Sequence, residues 1–159
     1  MKTQKEKLTI KWLGLEHVPQ ILELETHSSE NFWGKNAVLA LISSDNVIAV
    51  GIFKNEDMIA FGVLFLDYEK GAMQVLNVVV HPDFRRKKLG TKILQKAASL
   101  NKNISIVAAV RESNKIAHTF LSKNNFHATG VSKDFFSDEW SSGTEIEDAY
   151  VFILDRAKT

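Results

Sequence analysis

The stretch Val75-Leu76-Asn77-Val78-Val79-Val80, His81-Pro82-Asp83-Phe84, Arg85-Arg86-Lys87-Lys88-Leu89-Gly90-Thr91 and Lys92 to Leu100 decides the fold. Its first part is a β-branched apolar run, which suits a strand buried on both faces. Pro82 ends that strand, because proline has no N–H for the ladder. Further on, Leu89, Ile93, Leu94 and Ala97 recur at helical spacing, which predicts a helix beginning near Lys88. A strand, a tight turn and a helix start gather unpaired backbone N–H groups and the positive end of a helix dipole in one place. Such a place binds anions, and here Arg85, Arg86, Lys87 and Lys88 surround it. Taken alone, that basic run is equally a solvated surface or a weak nucleic-acid patch. Its position after a proline-terminated strand, with Gly90 allowing close backbone approach, favours the anion site.

Working outward, Leu8 to Leu13 reads as a short strand and Leu15 to Glu25 as a helix, with Pro19 tolerable in its first turn. His27 to Gly34 is a polar loop holding Phe32 and Trp33, and Ala37 to Ile42 is a second helix. Val47 to Phe53 and Met58 to Leu66 are strands joined by a hairpin at Lys54-Asn55-Glu56-Asp57. Glu69-Lys70-Gly71 turns the chain into the central strand. Beyond the central helix come a strand at Ile104 to Val110 and a helix at Asn114 to Lys123. A strand follows at Phe126 to Phe135, then a loop at Ser137 to Thr144 and a last strand at Ile146 to Leu154. The order β-α-α-β-β-β-α-β-α-β-β describes an α/β domain over residues 1–159, with a mixed sheet of about seven strands and four helices.

Composition excludes several classes. The apolar fraction of 45% and charged fraction of 25% are ordinary for a globular protein. A net charge of +1 gives no global bias toward nucleic acid or acidic lipid. Without cysteine there is no disulfide, thiolate nucleophile or cysteine-based metal site. No histidine pair has metal-ligand spacing, so no metal is expected. The first residues are polar, without a signal-peptide core, and no apolar run approaches the roughly 20 residues that cross a bilayer. A cytoplasmic protein, free of nucleic acid and membrane, is the default expectation, as monomer or homodimer.

The pattern resembles the GNAT superfamily of acyl-CoA-dependent N-acetyltransferases nearly end to end. In that superfamily Arg/Gln-x-x-Gly-x-Gly/Ala follows the fourth strand, and its backbone amides hold the CoA pyrophosphate. The aligned residues are Arg85-Arg86-Lys87-Lys88-Leu89-Gly90, with Lys88 in place of the first glycine and Thr91 following. Arg111-Glu112-Ser113-Asn114 with Ala117 and Phe126 matches the Asn-x-x-Ala helix that flanks the pantetheine. Glu147-Asp148-Ala149-Tyr150 looks like the RimI-type branch, which acetylates the N-terminal alanine of a ribosomal protein; the Phe32-Trp33 loop fits that branch too.

The resemblance implies a GNAT fold, acetyl-CoA as cosubstrate and a protein N-terminus or small amine as acceptor. It assigns cofactor contacts to Val78, Val79 and Val80, whose backbone would pair with pantetheine like an added strand. It assigns further contacts to Arg85 through Thr91 and to Asn114. Asn114 reads either as a helix cap alone or as a cap that also touches the cofactor.

Two departures matter. The RimI-type general base, a glutamate, falls on Ala109, and the general acid, a tyrosine, falls on Leu121. Neither side chain moves a proton. His118, one turn after Asn114, is the candidate replacement because its pKa lies near neutrality; its other reading is a half-buried helix histidine. Glu112 reads as a surface carboxylate, and Trp33, Phe135 and Phe136 as core. The reading is an N-acetyltransferase of the protein N-terminal type. Its rivals are a small-molecule amine acetyltransferase and a non-catalytic acyl-CoA-binding protein.

Overall fold

A computed structural model describes residues 7–28, 33–136 and 147–154. Strand β1 (Leu8–Trp12) is followed by a 3₁₀ turn (Leu15–His17), helix α1 (Val18–Glu25) and helix α2 (Gly34–Ile42). Then come β2 (Val47–Lys54), β3 (Asp57–Asp67), β4 (Ala72–Val80) and a second 3₁₀ turn (Pro82–Phe84). Helix α3 (Leu89–Ala98), β5 (Ser105–Arg111), α4 (Lys115–Lys123), β6 (His127–Phe136) and β7 (Glu147–Leu154) complete the order. The strands are hydrogen-bonded in the order β1-β2-β3-β4-β5-β7-β6. This is the mixed seven-strand, four-helix arrangement that the sequence predicts. The predicted loop at Ser137 to Thr144, with Ile146 and Phe32, lies outside the described residues.

The chain divides into two units, Met1–Phe65 with Leu76–Leu100, and Leu66–Val75 with Asn101–Thr159. In the first, β1 and β2 pair antiparallel from Leu8↔Lys54 to Trp12↔Val50. β2 and β3 close the hairpin at Lys54↔Asp57. Asn55, at φ 57°, supplies the left-handed turn residue, a conformation asparagine tolerates. Helices α1 and α2 bury Val18, Ile21, Leu24 and Val38 in one core with Phe53, Phe61, Val63 and Val79. Helix α3 places Leu89 and Ile93 in another, with Val50, Ile52 and Ala60, and with Val78, Val80 and Phe84 packed at its margin. Its buried stripe is Leu89, Ile93, Leu94 and Ala97, as the spacing predicts.

In the second unit the first half of β4 runs parallel to β5, from Ala72↔Ser105 to Val75↔Ala108. Strands β5 and β7 pair antiparallel from Ile106↔Leu154 to Arg111↔Ala149. Leu121 of α4 is buried, as are Ile106, Ala108, Val110, Phe126, Ala149 and Phe152.

Three expectations change. Helix α2 begins at Gly34 rather than Ala37. Of Val75 to Val80 only Val79 is buried, and its neighbours are half-buried. A β-branched run specifies extended backbone, but how far each face is covered depends on what packs there. Phe135, expected in a core, is 46% exposed.

Candidate active site

The turn after β4 is held by short-range bonds. The His81 N–H donates to the Ile59 carbonyl at 2.9 Å and so fixes the end of the strand. His81 Nδ1 accepts from the Asp83 N–H at 3.1 Å, so this imidazole caps the 3₁₀ turn and, when neutral, carries its proton on Nε2. The His81 ring lies 4.8 Å from that of His27 and 5.8 Å from that of Phe84. Two ammonium groups flank Phe84: Lys87 Nζ is 5.3 Å and Lys54 Nζ 5.4 Å from its ring centroid. A cleft lined by Glu23, His27, Lys54, Asp57, His81 and Phe84 opens beside the turn.

The four cations of this turn are exposed but differ in role. Arg85 Nε donates to the Val80 carbonyl at 3.3 Å and Nη2 to the His27 carbonyl at 3.4 Å. Arg85 therefore ties the end of α1 to the end of β4. Arg86 and Lys88 both adopt the left-handed conformation, at φ 64° and 61°. Lys88 is the N-cap of α3, and its side chain makes no capping bond. The first intrahelical bond runs from the Lys92 N–H to the Lys88 carbonyl at 3.1 Å. The N–H groups of Leu89, Gly90 and Thr91 belong to the first turn of a helix, where no intrahelical acceptor exists. A left-handed residue followed by right-handed ones turns successive N–H groups toward one side, and the helix dipole adds positive potential there. The turn therefore fits a pyrophosphate: a backbone nest, exposed cations and no capping side chain. Lys88 takes the family glycine's place and also the left-handed backbone that makes glycine useful there.

In the second unit, Asn114 caps α4 through Oδ1, which accepts from the Ala117 N–H at 3.1 Å. Ser113 Oγ is 2.8 Å from each carboxylate oxygen of Glu147, which fixes the start of β7 beside the start of α4. His118 Nε2 is 3.0 Å from the Arg111 carbonyl, and its ring meets Tyr150 at 5.0 Å and Phe152 at 5.2 Å, edge to face. A carbonyl can only accept, so Nε2 carries the proton, and Nδ1 is left as the basic nitrogen of the neutral ring. The half-buried histidine is thus built into the α4 packing. Ala109 is half-buried opposite Val151, and Leu121 is 4% exposed.

Sequence reasoning passed over Glu25. It is fully buried, and its carboxylate accepts from the N–H groups of Trp33 at 3.1 Å and Gly34 at 3.0 Å. It thereby satisfies the start of α2 from the end of α1. Its place on the Val18, Ile21, Leu22 stripe was the available signal. Among the described residues no cluster of three or more histidine or acidic side chains is arranged to hold a metal ion. No described helix is long and apolar enough to cross a membrane.

The acetyltransferase (GNAT) family profile matches residues 17–126, and the chain belongs to that family. Comparison with curated proteins finds no match. Among solved structures the chain is similar to the ribosomal-protein-S18-alanine N-acetyltransferase from Escherichia coli. The TM-score is 0.81 at 18% identity, and 96% of each chain is covered. It is also similar to NAA60 from Arabidopsis thaliana in complex with acetyl-CoA, with TM-score 0.79, 11% identity and coverage of 93% of this chain and 98% of that one. A third is the PaiA N-acetyltransferase from Thermoplasma acidophilum in complex with coenzyme A. Its TM-score is 0.70 at 17% identity, with coverage of 94% and 99%.

Proposed function

We propose that residues 1–159 act as one acetyl-CoA-dependent N-acetyltransferase domain, cytoplasmic, that acetylates a protein N-terminal α-amine of the ribosomal-protein alanine type. The observation that carries the reading is the nest at Lys88 to Thr91, a left-handed residue opening an uncapped helix among exposed cations. Family membership and the neighbours solved with acetyl-CoA or CoA support the same cosubstrate. Acetyl-CoA, when bound, supplies a thioester carbonyl carbon for attack by an amine. On this reading Arg86, Lys87 and Lys88 face the pyrophosphate, and Leu89, Gly90 and Thr91 offer it backbone N–H groups. Backbone groups of Val78 to Val80 align the acyl arm, and an N–H of that strand stabilises the charge developing on the carbonyl oxygen. Asn114, which caps α4, is the cofactor contact that the family resemblance assigns to the second unit.

No side chain at 109 or 121 removes the proton, so attack depends on amine that is already neutral. An α-amine, with a pKa of about 7.7–8.0, meets that condition near neutral pH far better than a lysine at about 10.4. Ala109 and the buried Leu121 also favour a second reading, a non-catalytic acyl-CoA-binding protein. A steady-state assay of CoA release over peptides and small amines separates the readings. Turnover of an alanine-starting peptide supports the proposal. Turnover of small amines alone assigns a small-molecule acetyltransferase, and silence with retained CoA binding assigns the binding protein.

A further inference from the structure

Strand β1 ends the sheet and, among the described residues, pairs only with β2. The Asn55 N–H donates to the Lys7 carbonyl at 3.1 Å, and the Leu13 N–H to the Ala49 carbonyl at 2.8 Å. Bonded and non-bonded pairs alternate along an antiparallel ladder, so Thr9 and Lys11 also turn their backbone groups to β2. Leu8, Ile10 and Trp12 therefore direct their N–H and C=O groups outward, to an open edge. The side chains of the same three residues share a face. Leu8 and Ile10, with Ile52 of β2, form the floor of a groove of about 420 Å³ whose other wall is α3. Trp12 lies beneath Lys96, whose Nζ is 5.1 Å from its ring centroid. Leu8 is 43% exposed and Trp12 40%. Helix α3 lines the groove with Lys92, Gln95 and Lys96, and no acidic side chain does. Among the described residues neither ammonium has a carboxylate partner. Lys11 points the other way, its Nζ 4.3 Å from the Phe53 ring centroid.

These features choose among occupants. A row of open N–H and C=O groups is matched by another backbone, which a lipid surface lacks. A second copy would bring its own Lys92 and Lys96 to the groove, like charge against like. An acidic strand meets both requirements. Lys92 and Lys96 stand one helical turn apart, about 6 Å along α3. Side chains on one face of a strand repeat about every 6.6–6.8 Å, so carboxylates at alternate positions match the two ammonium groups. We propose that the β1 edge and the α3 groove form a docking surface for an extended acidic segment of a partner protein. The segment adds to the sheet beside β1, pairs its backbone with Leu8, Ile10 and Trp12, and sets its carboxylates against Lys92 and Lys96. None of these residues belongs to the set assigned to acetyl-CoA.

The test titrates the full, isotope-labelled chain with the N-acetylated peptide amide Val-Thr-Glu-Thr-Glu-Thr-Val, followed by NMR. Its blocked start and lack of lysine keep it from serving as an acetyl acceptor. Amide signals of β1 and α3 should shift. Hydrogen exchange at Leu8, Ile10 and Trp12 should slow by about tenfold or more, while Thr9 and Lys11, already bonded to β2, change less. Lys92→Glu with Lys96→Glu should weaken binding by about tenfold, and added salt should weaken native binding. The same peptide with both glutamate nitrogens methylated keeps its charge but cannot donate to the edge, and should bind at least about tenfold more weakly. A peptide with lysine in place of both glutamates should not bind. The altered peptides leave the protein native, so they decide the matter even where the charge-reversed variant does not fold. Absence of shifts in β1 overturns the assignment, as does equal affinity for the methylated or the lysine peptide. A peptide-free chain that dimerises with its β1 amides protected gives the surface to a second copy and overturns it. Binding to phosphatidylglycerol vesicles through Lys92 and Lys96, in place of peptide binding, gives the surface to a membrane and also overturns it.

Discussion

Lys88→Gly tests whether the anion-binding turn is made by backbone shape rather than by the lysine. At φ 61° and ψ 26°, Lys88 occupies a left-handed conformation that costs a side-chain-bearing residue about 1–2 kcal/mol. Glycine removes that cost but gives the unfolded chain extra freedom worth about 0.4–1 kcal/mol. The difference is a gain of about 0.5–1 kcal/mol. For a chain of this length that is a rise in Tm of about 1–4 °C. Lys88→Ala is the control: it removes the same charge and keeps the left-handed cost, so it should melt within about 1 °C of native. CoA affinity, by calorimetry, should fall alike in both variants. An exposed cation contributes about 0.2–1 kcal/mol, up to about fivefold in Kd, and the loss should shrink as salt is raised. The reasoning is refuted if Lys88→Gly melts below Lys88→Ala. It is also refuted if either variant abolishes CoA binding, since the lysine side chain and not the nest would then hold the anion.

Glu25→Ala leaves the part-buried N–H groups of Trp33 and Gly34 without their acceptor and should lower stability by about 2 kcal/mol, read as a shift in urea midpoint. Glu25→Gln, which keeps one accepting oxygen, should lose about half as much. Gly62→Ala places a Cβ 2.4 Å from Ile93 Cγ2 and should cost about 1–3 kcal/mol; adding Ile93→Leu, which has no Cγ2, should recover part of the loss in thermal melts. Ala109→Glu with Leu121→Tyr restores the family's acid and base. If the double variant folds, turnover of an alanine-starting peptide at neutral pH should approach a gain of about 10²-fold; unchanged turnover would mean another group already moves the proton.

The legible parts of this fold are those with a strong local period. The stripe Leu89, Ile93, Leu94, Ala97 fixed α3, and Pro82 after a β-branched run fixed the end of β4, because helix spacing and proline act within a few residues. The proposed anion site is read from the same stretch. What the stretch did not reveal is that Arg86 and Lys88 are left-handed, since lysine and arginine announce no such preference. Nor did it reveal that Arg85 is turned back onto the Val80 and His27 carbonyls, a contact across 58 residues. Glu25 is passed over and His118 left with two readings for a related reason. A carboxylate on an apolar stripe, or a histidine on a helix, takes its meaning from a partner on another element: Trp33 and Gly34 in one case, Tyr150 and Phe152 in the other.

The absence of a proton carrier at positions 109 and 121 has a consequence for selectivity that needs no further residue. At pH 7 about 10% of an α-amine is neutral, against about 0.04% of a lysine, from pKa values near 7.7–8.0 and 10.4. The ratio, about 200-fold or more, lies within the about 10²–10⁴-fold range that a general base contributes. A site that waits for neutral amine therefore favours N-termini over lysines through acidity alone. The sign with pH is fixed. From pH 7 to 9 the neutral α-amine fraction rises by only about tenfold before it saturates, while the lysine fraction rises by about 100-fold. The preference for the N-terminus should accordingly fall by about tenfold over that interval. A peptide that starts with alanine and holds one lysine reports both products, which mass spectrometry resolves by position. Correction for the uncatalysed reaction at each pH isolates the enzyme's share. A preference that stays flat from pH 7 to 9 would show that the protein itself deprotonates the amine it selects. His118→Ala would then be the first variant to make, because its Nδ1 is the basic nitrogen left in the α4 packing.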